Sequence, residues 1–530
     1  MMGLSPGVFH ALLCVMVFVL QLLWLRLPGK PTMPEGKSPG EETAQCTRPS
    51  TLASAVFLAA AGATLLHHGF WPVGDAAVFA YIGERMTEGL VPYRDLFDHK
   101  GPLLYLIQYA GAALTPESYT GLWILELLNM MATMALMLPA CACMSRRRSS
   151  AVLAVMLSFL VCGRRLYEGG NLTEEYAMPW IALGMLVFLR YFQTGQLRFG
   201  EIGLLGAAFG AVALLRINMA ALWLAWTPVT LVLLYKRGQG RAIPMCIGVF
   251  LLGFCLMLAP FIIWMKAAGF LKEFWECYVL FNFRYAEEVG GGLRHTLHLT
   301  GWVLRLTLPA VPLLLLALMK QYRNPHYLAV LLLVAVSIAA AELSGRDYPH
   351  YLMILLPPFA AGFAPVFDLT GGWLDREEKR EPSRRIILIT CTALCIISIA
   401  YHGFSEEEPV SIPVSALLQG QTEADDDVLA LGNNAWLYLD ADRSTKNRYF
   451  YQTPPIEISQ TLREDFLREL REHPSDVIVS YDGDFSEAAG DWRSDVFDAL
   501  TQDGYIYLYT DPFGFFTREA SLWSEPGTGQ

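Results

Sequence analysis

The chain has 530 residues, of which 54% are hydrophobic and only 17% charged, and its mean hydropathy is +0.36. This balance excludes an ordinary soluble protein, and the lack of a basic stripe argues against nucleic acid as a partner. The formal net charge of −11 is unevenly spread: residues 403–530 hold 25 Asp and Glu against 8 Lys and Arg, and the rest carries a balance of +6. The acidity therefore belongs to a C-terminal region, whereas the apolar part is mildly basic.

Apolar runs recur from the N-terminus to residue 402, and each bilayer crossing needs about 20 such residues. The connections alternate between short basic ones, which the positive-inside rule assigns to the cytoplasm, and longer ones of mixed charge. The sequence predicts a polytopic α-helical membrane protein with about 11–12 transmembrane helices, whose longer connections face outward. The predicted segments are 8–27, 51–70, 118–144, 149–163, 176–191, 199–215, 219–235, 242–266, 300–319, 325–342, 349–367 and 386–402.

Three regions follow from this pattern. Residues 1–50 comprise an extra N-terminal helix and a flexible linker rich in Pro and Gly. Residues 51–402 form the transmembrane core, which includes a long outer loop at 71–117. Residues 403–530 form a small, acidic, soluble α/β domain, which we expect on the outer side of the cell membrane because an odd number of core helices precedes it.

The C-terminal region alternates between short apolar runs and helical patterns, which favours a small domain with a partly parallel sheet. The predicted strands are Val428–Leu431, Val477–Val479 and a final one at Tyr505–Tyr509. The predicted helices are Ser459–Glu472 and Trp492–Thr501.

The outer loop opens with Asp75, which precedes a helical run that stops at Gly89. An Asp at this point is ordinary for the N-cap of a helix lying on the membrane. The other interpretation makes its carboxylate a general base at the border of membrane and water, where the helix dipole and the low dielectric act on it in opposite directions. Local sequence leaves both open.

The loop continues with VPYRDLFDHKGP at residues 91–102, whose prolines and glycine predict rigid, non-helical backbone. Arg94, His99 and Lys100 offer positive charge, and two intervening aspartates can hold these side chains in place. A basic group here can neutralise a departing phosphate. The plainer alternative is a salt-bridged turn whose basic side chains reach toward lipid headgroups.

Other polar groups fall near the ends of apolar segments or inside them. Glu174 and Glu175 precede a helix, where acidic residues suit the dipole but can also bind a hydroxyl. Glu126 and Asn129 lie inside segment 118–144 and are expected to face other helices. His295 and His298 lack further ligands nearby, so no metal site is predicted, and no cofactor is demanded, although a divalent metal stays open.

The pattern GxxPYRDxFDHKGP at Gly89–Pro102, after the early Asp75, resembles membrane glycosyltransferases of the GT-C fold. It is similar in particular to the bacterial family 39-like group related to protein O-mannosyltransferases and lipid A aminoarabinose transferases. The resemblance covers about 51–402 and continues at GGNLTEEY (169–176), LRIN (215–218) and GRDYPHY (345–351).

The resemblance implies transfer of a hexose or pentose from a polyprenyl-phosphate donor to a glycan, lipid or protein acceptor, with inversion and at the outer face. It implies Asp75 as the catalytic base, and Lys100, Arg94 and Arg346 as ligands of the donor phosphate. Many relatives have a second acidic residue where this chain has Ala76, so the resemblance does not imply a two-carboxylate site at that point, and Glu174 and Glu175 are the candidates for a second carboxylate. The candidates for sugar or acceptor binding are Glu174, Glu175, Tyr93, His99, Tyr348 and His350.

The alternative function is a transporter or flippase of a lipid-linked glycan. Transporters are typically built from internal repeats with helices broken at mid-membrane. This sequence has no such repeat, and its charges gather toward one surface, so the enzyme is favoured.

Overall fold

The computed structural model describes residues 56, 60, 64, 73–371, 412–480, 491–510 and 513–518, apart from 117, 146–147, 164–165, 289–292, 308–309 and 343–344. The predicted segments 8–27 and 386–402, the linker before residue 51 and most of segment 51–70 lie outside the described residues. The chain divides into two compact units. The core unit is Met1–His68, Trp123–Phe261 and Val289–Ser405, and the loop–tail unit is Gly69–Leu122, Ile262–Glu288 and Glu406–Gln530.

Helices make up most of the described chain. The first group is α1 (Asp75–Thr87), α2 (Pro102–Leu114), α3 (Thr120–Ala142), α4 (Arg148–Met156), α5 (Thr173–Thr194), α6 (Phe199–Ala213), α7 (Ala221–Lys236) and α8 (Ile243–Ala267). The second group is α9 (Leu271–Phe274), α10 (Phe281–Glu288), α11 (Leu293–Thr307), α12 (Val311–Gln321), α13 (Pro325–Glu342) and α14 (Leu356–Gly371). The C-terminal part adds α15 (Ile412–Gln421), α16 (Trp436–Ala441), α17 (Pro455–Ile458), α18 (Gln460–Glu472) and α19 (Trp492–Gln502).

The apolar segments predicted in the core unit are confirmed as helices at α3 to α8 and at α13. Among the described residues, four helical stretches are long and apolar enough to cross a membrane, and they are Thr120–Ala142, Gly240–Ala267, Pro325–Glu342 and Pro349–Asp368. Five shorter apolar helices accompany them, including α6 and α7. Gly253 lets α8 approach α6 closely, because a Cβ there would lie 2.0 Å from the carbonyl oxygen of Gly203.

Three predicted segments are not single α-helices. Segment 149–163 consists of α4 followed by a π-helical turn at Leu157–Cys162. Segment 300–319 is divided between α11, which ends at Thr307, and α12, which begins at Val311. The sequence there carries two prolines, which cannot donate backbone hydrogen bonds and disfavour helical geometry in the preceding residue. Segment 349–367 begins as a 3₁₀ turn at Pro349–Leu355 before α14, because Pro357 and Pro358 have no N–H to continue the earlier turn.

The connections predicted as outer loops contain helices of their own. The loop 71–117 holds α1, as expected, and also α2, which the sequence analysis missed. The two helices pack closely in the loop–tail unit, since a Cβ on Gly83 would lie 2.5 Å from the backbone carbon of Gln108. The connection 267–299 contains α9, a π-helical turn at Trp275–Leu280, α10 and the start of α11.

The C-terminal region forms a four-stranded sheet in the order β1-β2-β4-β3. Strands β1 and β2 are parallel, whereas β4 is antiparallel to both β2 and β3, so the predicted partly parallel sheet is confirmed. The expectation that the strand at Tyr505–Tyr509 is the last one is wrong, because β4 follows it and lies in the middle of the sheet. Gly514 interrupts the apolar pattern of β4 and hides it in the sequence. The strands are β1 (Val428–Leu431), β2 (Val477–Ser480), β3 (Ile506–Thr510) and β4 (Phe513–Thr517).

The first loop and the C-terminal region share one aromatic core within the loop–tail unit. Tyr81 of α1 stacks on Tyr438 of α16 with ring centroids 4.6 Å apart, and its hydroxyl accepts a hydrogen bond from the backbone N–H of Thr445. The backbone N–H of Phe97 donates to the carbonyl oxygen of Arg448 at 2.9 Å. The tail therefore supports the backbone of the charged loop directly.

Candidate functional site

Asp75 is the first residue of α1, and the N-cap position belongs to Gly74. The interpretation of Asp75 as the N-cap is therefore wrong by one residue. Gly74 has φ of 59°, in the left-handed region that glycine adopts without steric cost. The Asp75 side chain is 33% exposed, and its Oδ1 accepts a hydrogen bond from Nδ2 of Asn433 at 3.3 Å. A carboxylate that is held yet accessible suits an acid–base role.

Lys100 lies next to this carboxylate. Its Nζ is 3.4 Å from Oδ2 of Asp75 and 3.2 Å from Nε2 of His99, and only 8% of the side chain is exposed. The ammonium also lies 5.3 Å from the centre of the Phe79 ring, which favours a cation. A buried ammonium needs such partners, because desolvation of an unpaired charge is costly.

Asp98 organises the backbone next to Lys100. Its carboxylate is fully buried and accepts hydrogen bonds from the hydroxyls of Tyr451 at 2.7 Å and Tyr105 at 2.8 Å, and from the backbone N–H of His99 at 2.6 Å. Burial raises the pKa of Asp98, while the nearby Lys100 ammonium and these hydrogen bonds act in the opposite direction. This network holds the backbone next to Lys100 and thereby fixes the direction in which the Lys100 side chain extends from the loop.

The preceding residues of the loop have structural contacts. Tyr93 has φ of 66° and is completely buried, and its hydroxyl donates to the carbonyl oxygen of Lys100 at 2.7 Å. Arg94 is 45% exposed and forms an ion pair with Asp95 at 2.8 Å. The hydrogen bond to Arg94 lowers the pKa of Asp95. The geometry confirms that the loop backbone is not helical, that Asp95 holds the Arg94 side chain and that Asp98 lies 3.3 Å from Nδ1 of His99. The Lys100 side chain is instead paired with Asp75, outside this segment.

A second polar cluster lies in the core unit. Nδ1 of His350 and its backbone N–H both bond to Oε2 of Glu168, the backbone contact being 3.3 Å. The ring of Tyr348 stacks on His350 at 5.5 Å with 11° between the planes, and Tyr348 is 37% exposed. The segment from Glu168 to Asn171 has positive φ at all four residues. Left-handed backbone at the two non-glycine positions is strained, and such strain is concentrated at functional sites.

Glu174 and Glu175 are both buried in the core unit. Glu174 pairs with Arg216 at 2.8 Å, and the Arg216 guanidinium lies 4.1 Å from the centre of the Tyr351 ring. Oε2 of Glu175 accepts from the backbone N–H of Asn171 at 3.1 Å. Both carboxylates therefore anchor the N-terminal end of α5 to neighbouring residues.

Glu126 accepts a hydrogen bond from the backbone N–H of Asn171 at 2.5 Å, and Asn129 donates to the carbonyl oxygen of Glu175 at 2.7 Å. The expectation that these two residues are packing polar groups is confirmed.

The structure thus brings Asp75, His99 and Lys100 together in the loop–tail unit. In the core unit it places Tyr348 and His350 in the polar cluster with Glu168, and it pairs Glu174 with Arg216. Arg346 also belongs to the core unit, in the segment before the 3₁₀ turn. Within the part of the chain that the structure describes, no three His, Cys, Asp or Glu side chains group in a way that could hold a metal ion.

Sequence reasoning missed Asn433, Tyr451 and Glu168. One signal was available for Asn433, which follows the carboxyl end of β1, because ligands commonly bind at the carboxyl ends of parallel strands. No local pattern marks Tyr451. Glu168 stands before Gly169 and Gly170, a pair that indicates unusual backbone but not a ligand.

The core unit also contains an apolar groove of about 730 Å³ between α5, α6, α7 and α8. Its walls are almost entirely hydrocarbon and aromatic side chains. Its few polar lining residues include Arg198, Glu201 and Asn218. Such a groove fits a long apolar chain.

Residues 53–394 match the family model described as "Putative competence-induced protein Ccs4 N-terminal domain". The match covers more than half of the 530 residues. The chain belongs to this family. No curated protein sequence matches this member of the Ccs4 N-terminal domain family.

The fold of this Ccs4 family member is that of a GT-C membrane protein. The crystal structure of ArnT from Cupriavidus metallidurans bound to undecaprenyl phosphate is similar, with a TM-score of 0.59 and 14% identity, covering 90% of this chain and 99% of that one. The apo state of the same protein matches with a TM-score of 0.56 and 13% identity over 90% and 100% of the chains. An oligosaccharyltransferase from Archaeoglobus fulgidus, tethered to an acceptor peptide, has a TM-score of 0.47 at 12% identity, covering 89% and 74%. The resemblance to the GT-C fold inferred from the loop motifs is confirmed.

Proposed function

We propose that the protein is a membrane glycosyltransferase that moves a sugar from a polyprenyl phosphate to an acceptor hydroxyl or amine. The observation that carries the proposal is the contact between Asp75 and Lys100 at 3.4 Å, on the first long loop of a GT-C fold. A general base and a phosphate-binding cation side by side are the two groups that this transfer needs.

In the proposed step Asp75 takes the proton from the acceptor as its oxygen or nitrogen attacks the anomeric carbon. The bond from that carbon to the phosphate oxygen breaks, and its electron pair leaves with the lipid phosphate. Lys100 stabilises the charge that builds on the departing oxygen. A single displacement of this kind inverts the configuration at the anomeric carbon.

Lys100 is the ligand of the donor phosphate that the geometry supports best. Arg94 makes its contacts, among the described residues, with Asp95 and with the carbonyl oxygen of Ala268. We therefore assign Arg94 to holding the loop, and we keep Arg346 as a second candidate for the phosphate. His99, whose ring reaches the Lys100 ammonium, is proposed to orient that ammonium.

A polyprenyl chain as part of the donor is supported by two observations. The similar ArnT structure contains undecaprenyl phosphate. The core unit of this chain offers an apolar groove of about 730 Å³, large enough for several isoprene units. We propose that the chain of the donor lies in this groove.

The sugar or the acceptor is proposed to contact the cluster of Tyr348, His350 and Glu168. An exposed tyrosine ring offers an apolar face for a sugar, and a partly exposed carboxylate can bind hydroxyls. Tyr93, Glu174 and Glu175 are buried, and they form hydrogen bonds or ion pairs within the protein. We therefore propose that they support the backbone. We propose that the protein lies in the cell membrane with the site and the C-terminal region on the outer side, because the short basic connections favour the cytoplasmic side.

The proposal is tested by deleting the gene and comparing glycolipids and envelope glycans by mass spectrometry. We expect one glycan modification to disappear and its polyprenyl-phosphate sugar to accumulate. The wild-type protein restores the modification, whereas Asp75→Asn, present at equal abundance, does not. An unchanged glycan profile with no accumulated donor would contradict the proposal.

A further inference from the structure

Asn433 lies on a turn that is held rigidly at the carboxyl end of β1. Gly432, with φ of 89°, begins the turn, and its N–H donates to Oε1 of Gln452 at 2.7 Å. The backbone N–H of Gln452 donates back to the carbonyl oxygen of Gly432 at 2.9 Å. The backbone of Asn433 is therefore fixed before any substrate binds.

Among the described residues, only one of the two polar atoms of the Asn433 side-chain amide has a hydrogen-bond partner. Its Nδ2 donates to Oδ1 of Asp75 at 3.3 Å, whereas its own Oδ1 is buried and has no hydrogen-bond partner among the described residues. The neighbouring Asn434 uses both atoms, since it donates to the carbonyl oxygen of Leu431 and accepts from Nε1 of Trp436. Leaving a buried amide oxygen unpaired costs free energy, so its presence beside Asp75 indicates a ligand.

The orientation of the Asn433 amide follows from chemistry. A carboxylate oxygen is an acceptor, so the NH₂ group must face Asp75 and the amide oxygen must face away from that contact. Two acceptors therefore flank this contact, the carboxylate of Asp75 and the buried Oδ1 of Asn433.

We propose that Asn433 is a positioning residue that holds Asp75 and also accepts a hydrogen bond from the acceptor substrate. The inference rests on the proposed function, and it names the acceptor class more closely. Asp75 receives the proton of the attacking group, and Oδ1 of Asn433 receives a second O–H or N–H beside it. Neighbouring hydroxyls of a sugar provide this pair of donors, so the acceptor is a glycan or glycolipid. The C-terminal region then contributes directly to the transfer site.

The contact with Asp75 is tested without any substrate. Dicyclohexylcarbodiimide modifies protonated carboxyl groups, and peptide mass spectrometry of the purified full-length protein measures the modified fraction of Asp75. Loss of a donor to the ionised carboxylate favours its protonated form. We expect Asn433→Ala to raise the labelling of Asp75 at fixed pH by about threefold to tenfold. Equal labelling in the variant and the wild type would overturn the proposal.

Two control variants show that the effect belongs to this amide. Asn434→Ala removes the adjacent amide, and Gln419→Ala removes an amide from the surface of the same region. Both should leave the labelling of Asp75 within about 1.5-fold of wild type, with thermal melting confirming that they are folded. An equal rise in either control would show a general loosening of the turn and would contradict the assigned role.

The acceptor contact is tested by adding purified variants to membranes of the deletion strain, which supply donor and acceptor, and measuring the product against pH. We expect Asn433→Ala to form less product than the wild type. Part of this lost activity should recover at alkaline pH, where the labelling of Asp75 falls to the wild-type level. A residual loss of about tenfold should persist there, because Oδ1 no longer binds the acceptor. Complete recovery would overturn the acceptor contact. If Asp75→Asn keeps full transfer while Asn433→Ala still shows the increased labelling of Asp75, the proposed function is refuted and the contact between Asn433 and Asp75 stands.

Discussion

Nζ of Lys100 lies 3.4 Å from Oδ2 of Asp75, although 25 residues separate them in the chain. Helix α1 starts with Asp75, and the rigid loop after it ends with Lys100, so the two charges meet where the loop returns to the start of the helix. Two buried hydrogen bonds hold that end of the loop: the backbone N–H of His99 donates to Asp98, and the hydroxyl of Tyr93 donates to the carbonyl oxygen of Lys100. The pair is therefore organised in advance, which would lower the reorganisation needed in the proposed transfer.

Lys100→Ala should reduce transfer by about 100-fold to 1,000-fold, the cost of removing a preorganised group that stabilises a developing negative charge. The matched control is Arg94→Ala in the same loop, whose side chain is 45% exposed and pairs with Asp95. That control should lose less than about fivefold, because exposed ion pairs contribute little. Product formation in membranes of the deletion strain measures both. Comparable losses in the two variants would mean that the loop acts only as a charged surface.

The stability contributions of Asp98 and Asp95 should depend on pH with opposite signs. Burial raises the pKa of Asp98, so its favourable contribution is complete below the unfolded value near 3.8 and declines as pH rises through the folded value. The hydrogen bond from Arg94 lowers the pKa of Asp95, so its contribution is present above 3.8 and is lost as pH falls.

These opposite signs can be measured as the difference in Tm between wild type and each variant from about pH 3 to pH 7, because the folded and unfolded pKa values differ there. For Asp98→Asn the advantage of the wild type should shrink by several degrees as pH rises. For Asp95→Asn it should grow. The same pH trend in both variants would contradict the assigned causes.

Tyr348→Ala should reduce transfer by about threefold to tenfold, because it removes the exposed ring that stacks on His350. Tyr348→Phe keeps the ring and should retain most of the activity. Tyr235→Ala is the control, since that ring is 80% exposed at the end of α7 and belongs to no cluster described above. If Tyr348→Phe and Tyr348→Ala lose equal activity, the hydroxyl rather than the ring face is what matters.

Thr227→Trp should block the apolar groove of the core unit, because a large ring would fill space that a polyprenyl chain needs. Labelling by a photoactivatable polyprenyl phosphate should fall by about tenfold. Leu256→Trp places the same ring on α8 at a residue that is 65% exposed and does not line the groove. Unchanged labelling in Thr227→Trp, or an equal decrease in the control, would place the lipid chain elsewhere.

The fold was predictable wherever the information is local. Apolar length identified α3, α5, α8 and α13, and the strand–helix alternation identified the tail. Prolines near residue 310 divided a segment that hydropathy alone treats as continuous.

The site was predictable only in part. Asp75 and Lys100 share one loop, so a single segment was enough to name both as candidates. Asn433 is 358 residues from Asp75, and His350 is 182 residues from Glu168, and hydropathy or spacing carries no information about contacts at such separations. The roles of buried Tyr93 and of Glu174 likewise depend on partners that only the folded chain supplies.

The most direct test of the proposed function is transfer by purified protein in detergent, with lipid-linked sugars and acceptor extracted from the deletion strain. There are no membrane sides in detergent, so a transporter makes no product. We predict product with the wild type and at least about 100-fold less with Asp75→Asn, while the wild type and the variant bind a polyprenyl phosphate with similar affinity. Full product with Asp75→Asn, or none with the wild type when donor and acceptor are both present, would contradict it.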